Sequence, residues 1–331
     1  MRPAFSVLAA AAAFIACAAF GADTVLWPTE SRAFDRGEPF ENFIQPTAGK
    51  LPPSGLFGDV RNGGYRFHEG IDIKSVRRDR KGEPLDDVYA AMDGKVVMAN
   101  HVAGNSSYGR YVVLEHPQCD VAVYTLYAHL REIDPGVKEG AEVKAGARLG
   151  MMGRSATYKI SRDCAHLHFE VGLRCGSNFD RWYNARNYKT KNRFGNFNGM
   201  NLVGMDPLDF MKAARDGRLD SGFGNYIKSQ KTAFVVRFYT KKTPDFAKLY
   251  PGLVEDAGAK AGWDIYFTWF GLPQKMTRIK NPRIGATEGE FEITQYDPDE
   301  INRKCRRFVS VDANGNLRHT KLLVDTLQKM F

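Results

Sequence analysis

The residues that could do chemistry fall into three short motifs drawn from only seven histidines. These are His68-Glu69-Gly70-Ile71-Asp72, His166-Leu167-His168 and Tyr127-Ala128-His129. A His and an Asp four apart would share one face of a helix, but Gly70 and the β-branched Ile71 and Ile73 disfavour a helix. On a strand, the period of two also puts His68 and Asp72 on one face. The same period sends His166 and His168 to one side, with Leu167 and Phe169 facing the core. His129 ends an apolar strand. Two imidazoles and one carboxylate make a zinc site with an open fourth position, the mark of catalytic rather than structural zinc. Such ligands suit Zn2+ without thiolate. The metal lowers the pKa of a bound water to about 7 and polarises a carbonyl. The remaining two histidines then serve as general base and as donor to a tetrahedral intermediate. Spacing does not decide which histidines hold the metal. A lone His-x-His or His-x-x-x-Asp is a weak signal; their joint occurrence with a strand-end histidine carries the reading. His101, His116 and His319 lack such patterns and read as surface or structural. The carboxylates Asp59, Glu69, Glu115 and Glu170 could pair as acid and base in a glycosidase, but their spacing does not support it.

Short β segments must position these groups. Val96 to Met98, Tyr111 to Leu114, Val121 to Leu126 and His166 to Val171 are β-branched or aromatic runs, with a hairpin turn at His116 to Asp120. Gly136, Gly140, Gly146, Gly150 and Gly153 punctuate further strands. Residues 56–212 therefore read as an antiparallel β domain without a long amphipathic helix. Residues 22–55 are Pro-rich and aperiodic, an extended lead-in. After Pro207 the character changes. Ala233 to Tyr239, Trp263 to Phe270, Phe291 to Gln295 and Arg307 to Val311 are strand-like. Asp312 to Gly315 is a turn, and Leu317 to Met330 has helical spacing. Residues 213–331 thus predict a separate α+β unit of plausible domain size. With 331 residues, 43% hydrophobic and 26% charged, the chain is ordinary globular protein of about two domains.

Ala4 to Phe20 is apolar except for Ser6, and Ala19 and Gly21 are small. Residues 1–21 are expected to be a secretory signal cut after Gly21, rather than a membrane anchor. The protein is then exported, periplasmic or secreted, with no stable membrane span after cleavage. Cys119, Cys164, Cys175 and Cys305 remain, an even number that suits two disulfides, with Cys164 and Cys175 a tempting pair. The formal charge is +9, and residues 213–331 hold 20 Lys and Arg against 14 Asp and Glu. That basic unit could bind anionic polymers. Nucleic-acid binding is not expected in an exported protein without an aromatic-basic signature.

The ordered motifs resemble the LytM/lysostaphin-type zinc metallopeptidases that cut peptidoglycan peptides. The resemblance runs from about Ser54 to Phe210. It includes Phe57-Gly58, Arg61, His68 to Ile73, Ala90 to Val97 and Tyr108-Gly109. It continues through Val113 to His116, Tyr127 to Leu130, Val143 to Gly146, Gly150, Gly153, His166 to Val171 and Asp206-Pro207. It implies one zinc ion held by His68, Asp72 and His168, with His129 and His166 as catalytic histidines. It also implies a small antiparallel β fold with a groove across the sheet. The implied activity is hydrolysis of peptide bonds in peptidoglycan stem peptides or cross-bridges by attack of zinc-activated water. Some members have lost ligands and only activate wall amidases. All five positions are filled here, which disfavours a member with lost ligands; the alternative is a non-catalytic or latent wall-binding regulator of cell-wall amidases, its groove plugged by the lead-in or the C-terminal unit. The chain departs from the family in the basic loop Lys74 to Lys81, the approach Ser155 to Ala165 and the insertion 174–205. These departures bear on substrate preference more than on chemistry.

Overall fold

The computed structural model describes residues 25–255, 258 and 261–331. The expected signal segment, with Cys17, therefore lies outside the described residues. No helix among those described is long and apolar enough to cross a membrane.

The largest unit is a seven-stranded antiparallel sheet. Its main path runs Leu202–Met205, His166–Arg174, Tyr124–Leu130, Arg110–Glu115, Gly94–Asn100, Glu142–Val143. The strand Ile71–Lys74 pairs with the first half of His166–Arg174, and Leu202–Met205 pairs with the second half. Both faces of the central strands are covered, so Tyr124–Leu130 is buried throughout. Leu167, Phe169, Val171 and Leu173 point into the main core. The opposite face carries His166, His168 and Glu170, beside a smaller cluster of Tyr111, Val113, Tyr124, Leu126 and Ala128. Phe194 and Phe197 of the 174–205 insertion pack over that cluster. Each fully buried Leu or Phe contributes roughly 1.5–3 kcal/mol, so the apolar face anchors the strands whose other face presents polar groups.

The lead-in is folded onto this unit rather than free. Trp27 stacks on Phe34 at 4.5 Å, and both meet the edge of Phe43. Ile44 bridges to Ile73, and the Gln45 amide donates to the Asp72 carbonyl at 2.8 Å. Burial of these few large side chains supplies the order that Pro-rich composition conceals.

The C-terminal part is α+β. A five-stranded sheet runs Val254–Glu255, Pro273–Arg278, Trp263–Phe267, Phe234–Phe238, Phe291–Tyr296. The strand Pro273–Arg278 escapes the sequence reading because its Pro, Gln, Lys and Arg mask the β-branched signal. The expected helix from Leu317 begins only at Lys321, because Leu317–His319 pairs with Val309–Val311 across the Asp312 to Gly315 turn. The helix Pro207–Arg215 runs across residue 213, and one hydrophobic core extends from Trp27 to Met330.

The expected disulfides are not found: Cys119, Cys164, Cys175 and Cys305 are all free thiols. The pair Cys164 and Cys175 is ruled out by the strand His166–Arg174 between them. At about 3.3 Å per residue that strand holds the two roughly 30 Å apart, against about 6 Å for bridged Cα atoms.

Candidate active site

Four strands, three of them neighbours in the large sheet, bring the five sequence-selected residues together. His68 ends the strand Arg66–His68, and Asp72 lies in Ile71–Lys74. They do not share one strand, because the chain bends at Glu69-Gly70. A Cβ on Gly70 would stand 2.3 Å from the Phe169 carbonyl, so the bend requires glycine. Asp72 pairs in register with His168, and His168 with Ala128. By strand alternation His129, next after Ala128, should point into the core. Instead it takes a left-handed φ of 63°, at a bulge where two strands lose register. That conformation is rare for a non-glycine residue and costs on the order of 1–2 kcal/mol. It turns the ring back to within 4.8 Å of His166, centroid to centroid.

His68 Nε2, His168 Nδ1 and Asp72 Oδ1 form a triangle with all three sides 3.1 Å. Metal–nitrogen bonds of roughly 2.0–2.1 Å place neighbouring vertices of a tetrahedron roughly 3.3 Å apart. The three donor atoms therefore fit a zinc ion. This is the His–Asp–His group among the described residues with metal-ligand spacing. Partners behind each donor fix its orientation. His68 Nδ1 donates to the Leu56 carbonyl at 2.7 Å, which leaves Nε2 as a lone pair. His168 Nε2 donates to Glu170 Oε1 at 2.9 Å, which leaves Nδ1 free. Glu170 is held in turn by the Tyr108 and Tyr124 hydroxyls at 2.6 and 3.0 Å. Such carboxylate–histidine pairs orient a ligand and raise its basicity. The far oxygen of Asp72 accepts from Thr47 at 2.5 Å and pairs with Arg61.

His129 and His166 use the same device. Nδ1 of His129 donates to the Ser155 carbonyl at 2.8 Å, and Nδ1 of His166 to the Cys164 carbonyl at 2.6 Å. Each Nε2 is thereby left as a base, and that of His166 lies 3.3 Å from Asp72 Oδ1. Gly109 permits this arrangement. Its φ is 68°, and a Cβ there would stand 2.0 Å from the carbonyl oxygen of Ser155.

The charges follow from these contacts. Burial disfavours the Asp72 carboxylate, but His166 and His68 beside it hold its pKa well below the usual range. Burial and the neighbouring His166 and His168 keep His129 neutral, its pKa well below the ordinary value. Burial lowers His68 as well, against the pull of Asp72. For His168 burial is outweighed by Asp72 and Glu170, which raise it to about 9. An imidazole with a carboxylate at each ring nitrogen is a place where a cation can replace a proton on one of them.

Glu170, Thr47 and Ser155 were not singled out for this site by sequence. For Glu170 a signal existed, since it follows His168 by two on the same strand face; for Thr47 and Ser155 only the fold makes the contact. His116 is buried, its ring nitrogens against the Asp93 carbonyl at 2.6 Å and the Thr125 hydroxyl at 2.8 Å. It is structural, and His101 and His319 are exposed. Glu115 pairs with Arg174, and Asp59 accepts from Cys305.

The model of peptidase family M23 matches residues 66–180. Over that segment the resemblance to LytM/lysostaphin-type metallopeptidases holds. No curated protein matches the chain. Among solved structures, a putative glycyl-glycine endopeptidase lytM from Ruminococcus gnavus is 22% identical, over 45% of this chain and 47% of that one, with a TM-score of 0.30. A zinc-containing peptidase from Vibrio cholerae is 27% identical, over 46% of this chain and 36% of that one, with a TM-score of 0.29. The catalytic domain of lysostaphin, an antimicrobial peptidase from Staphylococcus simulans, is 25% identical, over 48% of this chain and 87% of that one, with a TM-score of 0.29. The chain thus spans less than half the length of the first two.

Proposed function

We propose that this protein is an exported zinc-dependent endopeptidase that hydrolyses peptide bonds in peptidoglycan. The observation that carries the reading is the 3.1 Å triangle of His68, Asp72 and His168, with two further imidazoles facing it through free Nε2 atoms. The M23 match supports a peptidase. Zinc bound there would supply a water that ionises near neutral pH and a Lewis acid for a carbonyl. His68, Asp72 and His168 would hold it, and Glu170 and Arg61 would keep the two outer donors aimed. Neutral His129 is suited to take a proton at Nε2, because its Nδ1–H is committed to Ser155. His166 keeps its Nδ1–H on Cys164, so it would donate to the oxygen that gains charge through Nε2 only once that nitrogen also carries a proton, as an imidazolium. No side chain needs to form a covalent bond to substrate.

One observation favours latency as the second reading. The cavity of about 200 Å³ that reaches His129 and His166 is walled by Thr47 and Ala48 of the lead-in and by Tyr158 to Ser161. Both histidines are only 4% exposed. Digestion of purified peptidoglycan, read by mass spectrometry, separates the readings. The zinc-loaded protein is expected to release cut stem peptides. A chelator or His166→Ala is expected to lower the rate at least 10²-fold. Folded, zinc-loaded protein without any cleavage would overturn the active-endopeptidase reading in favour of latency.

A further inference from the structure

A second, larger cavity adjoins the catalytic one. It encloses about 910 Å³, and Arg66 lines both. At one end lies Tyr108, whose hydroxyl holds Glu170 and whose ring is 5.7 Å from that of His168. Its far wall is not made by the M23-matching segment. Part comes from the insertion, through Tyr188 and Phe194, and part from the C-terminal unit, through Arg306 and Lys329.

The charges in this cavity are unbalanced. The Arg306 guanidinium carbon lies 4.4 Å from the ring centre of Phe67 and 5.8 Å from that of Phe308. Its Nε is buried without a hydrogen-bond partner. Neither Arg306 nor Arg66 forms an ion pair among the described residues. Among the described residues, Lys329 donates to the Met200 carbonyl and lies 5.4 Å from the Trp182 ring centre. Of the acidic side chains in the wall, Asp325 is already paired with Arg186 and Lys321, which leaves Glu69 alone. A guanidinium held over an aromatic ring and lacking an acceptor is suited to a planar carboxylate, which it binds through two parallel N–H donors.

We propose that this cavity is a substrate subsite for a free carboxylate and that Arg306 is the residue that reads it, with Arg66 also in the lining. The proposal rests on the peptidoglycan reading above and sharpens it. The preferred substrate is a cross-linked stem peptide whose carboxylate near the cut bond is free rather than amidated. The C-terminal unit is then part of the substrate site.

The test uses the zinc-loaded full chain and two synthetic cross-linked peptides, alike except that this carboxylate is free in one and amidated in the other. The intact protein is expected to show a KM roughly 10- to 100-fold lower for the free acid, the range of one charge-assisted hydrogen-bond pair. Arg306→Ala is expected to erase that ratio by raising KM for the free acid, with kcat within about twofold. Arg306→Lys is expected to restore part of it. An unchanged KM ratio in Arg306→Ala would overturn the proposal. Thermal melts report whether each variant folds, and Arg66→Ala replaces Arg306→Ala if the latter does not, with a reduced ratio expected and an unchanged one overturning the proposal. If the intact protein cuts neither peptide nor peptidoglycan, the endopeptidase reading fails by itself. Calorimetric binding of the same two peptides then decides the subsite. Preference for the free acid that is lost in Arg306→Ala upholds it; equal binding, or none, overturns it.

Discussion

The seven-stranded sheet and the five-stranded sheet around Trp263–Phe267 bury very different side chains. In and beside the first, His68, Asp72, His116, Thr125, His129, His166, His168 and Glu170 are all buried. In and beside the second, the buried polar side chains among the described residues are Thr240, Thr268, Gln274 and Thr326, all uncharged. Burying an ionisable group costs several kcal/mol unless each donor and acceptor is matched. A fold carries such groups in number only where partners are built around them. In the first sheet every imidazole has a carbonyl, carboxylate or hydroxyl behind it. The second sheet needs none of this, because Phe234, Ile265, Phe267 and Met276 make an ordinary apolar core. The difference separates a scaffold that positions titratable groups from one whose part is to hold a wall, and Arg306, in place.

That contrast has measurable edges. The largest expected effect is on stability against pH in the first sheet. Burial holds the His116 imidazole down at about 4. Its unfolded value is about 6.5, so the unfolded chain takes up a proton first as pH falls. His116 therefore costs nothing above pH 6.5 and removes about 3 kcal/mol of stability as pH falls toward 4. Urea melts at pH 7 and 4.5 should show that loss, and His116→Gln should flatten it while lowering stability at pH 7. An equal slope in the variant would remove His116 from the account.

Next comes Glu170→Gln, which keeps shape and removes charge. Zinc affinity is expected to fall roughly 10- to 100-fold, read by competition with a chelating dye. Retained affinity would mean that Tyr108 and Tyr124, not the carboxylate charge, orient His168. The smallest effect belongs to the second sheet. The Thr268 hydroxyl accepts from the Leu272 amide at 3.1 Å. Thr268→Val should cost about 1 kcal/mol of stability and leave peptidoglycan cleavage unchanged. A marked loss of cleavage would erase the division between the two sheets.

Much of the site was legible in the chain itself. A period of two on a strand puts His166 and His168 on one face and Leu167 and Phe169 on the other, and the structure shows that division. Glycines with turn chemistry delimit the strands, so an antiparallel β domain followed by an α+β part could be read locally. Where several long-range contacts compete, local reading stops. The helix expected from Leu317 loses its first turn to a hairpin with Val309–Val311. The Pro-rich lead-in is ordered by Trp27, Phe34 and Phe43 stacking on one another, a contact that composition does not reveal. Cysteine parity suggested two disulfides, but all four thiols are free, and the one pair singled out, Cys164 and Cys175, is held apart by the strand between them.

Residue type and spacing alone thus singled out the side chains able to serve a metal site, because ligand chemistry and strand periodicity are local properties, but not which of the histidines would hold the metal. Tertiary structure alone decided that His129 turns out of the core, since its left-handed φ depends on a bulge against Arg110–Glu115. It also decided that Thr47 and Arg61 hold Asp72 and that Arg306 reaches the groove from 240 residues downstream of Arg66. Those contacts join segments far apart in the chain, and their geometry comes into being only when one core closes over all of them.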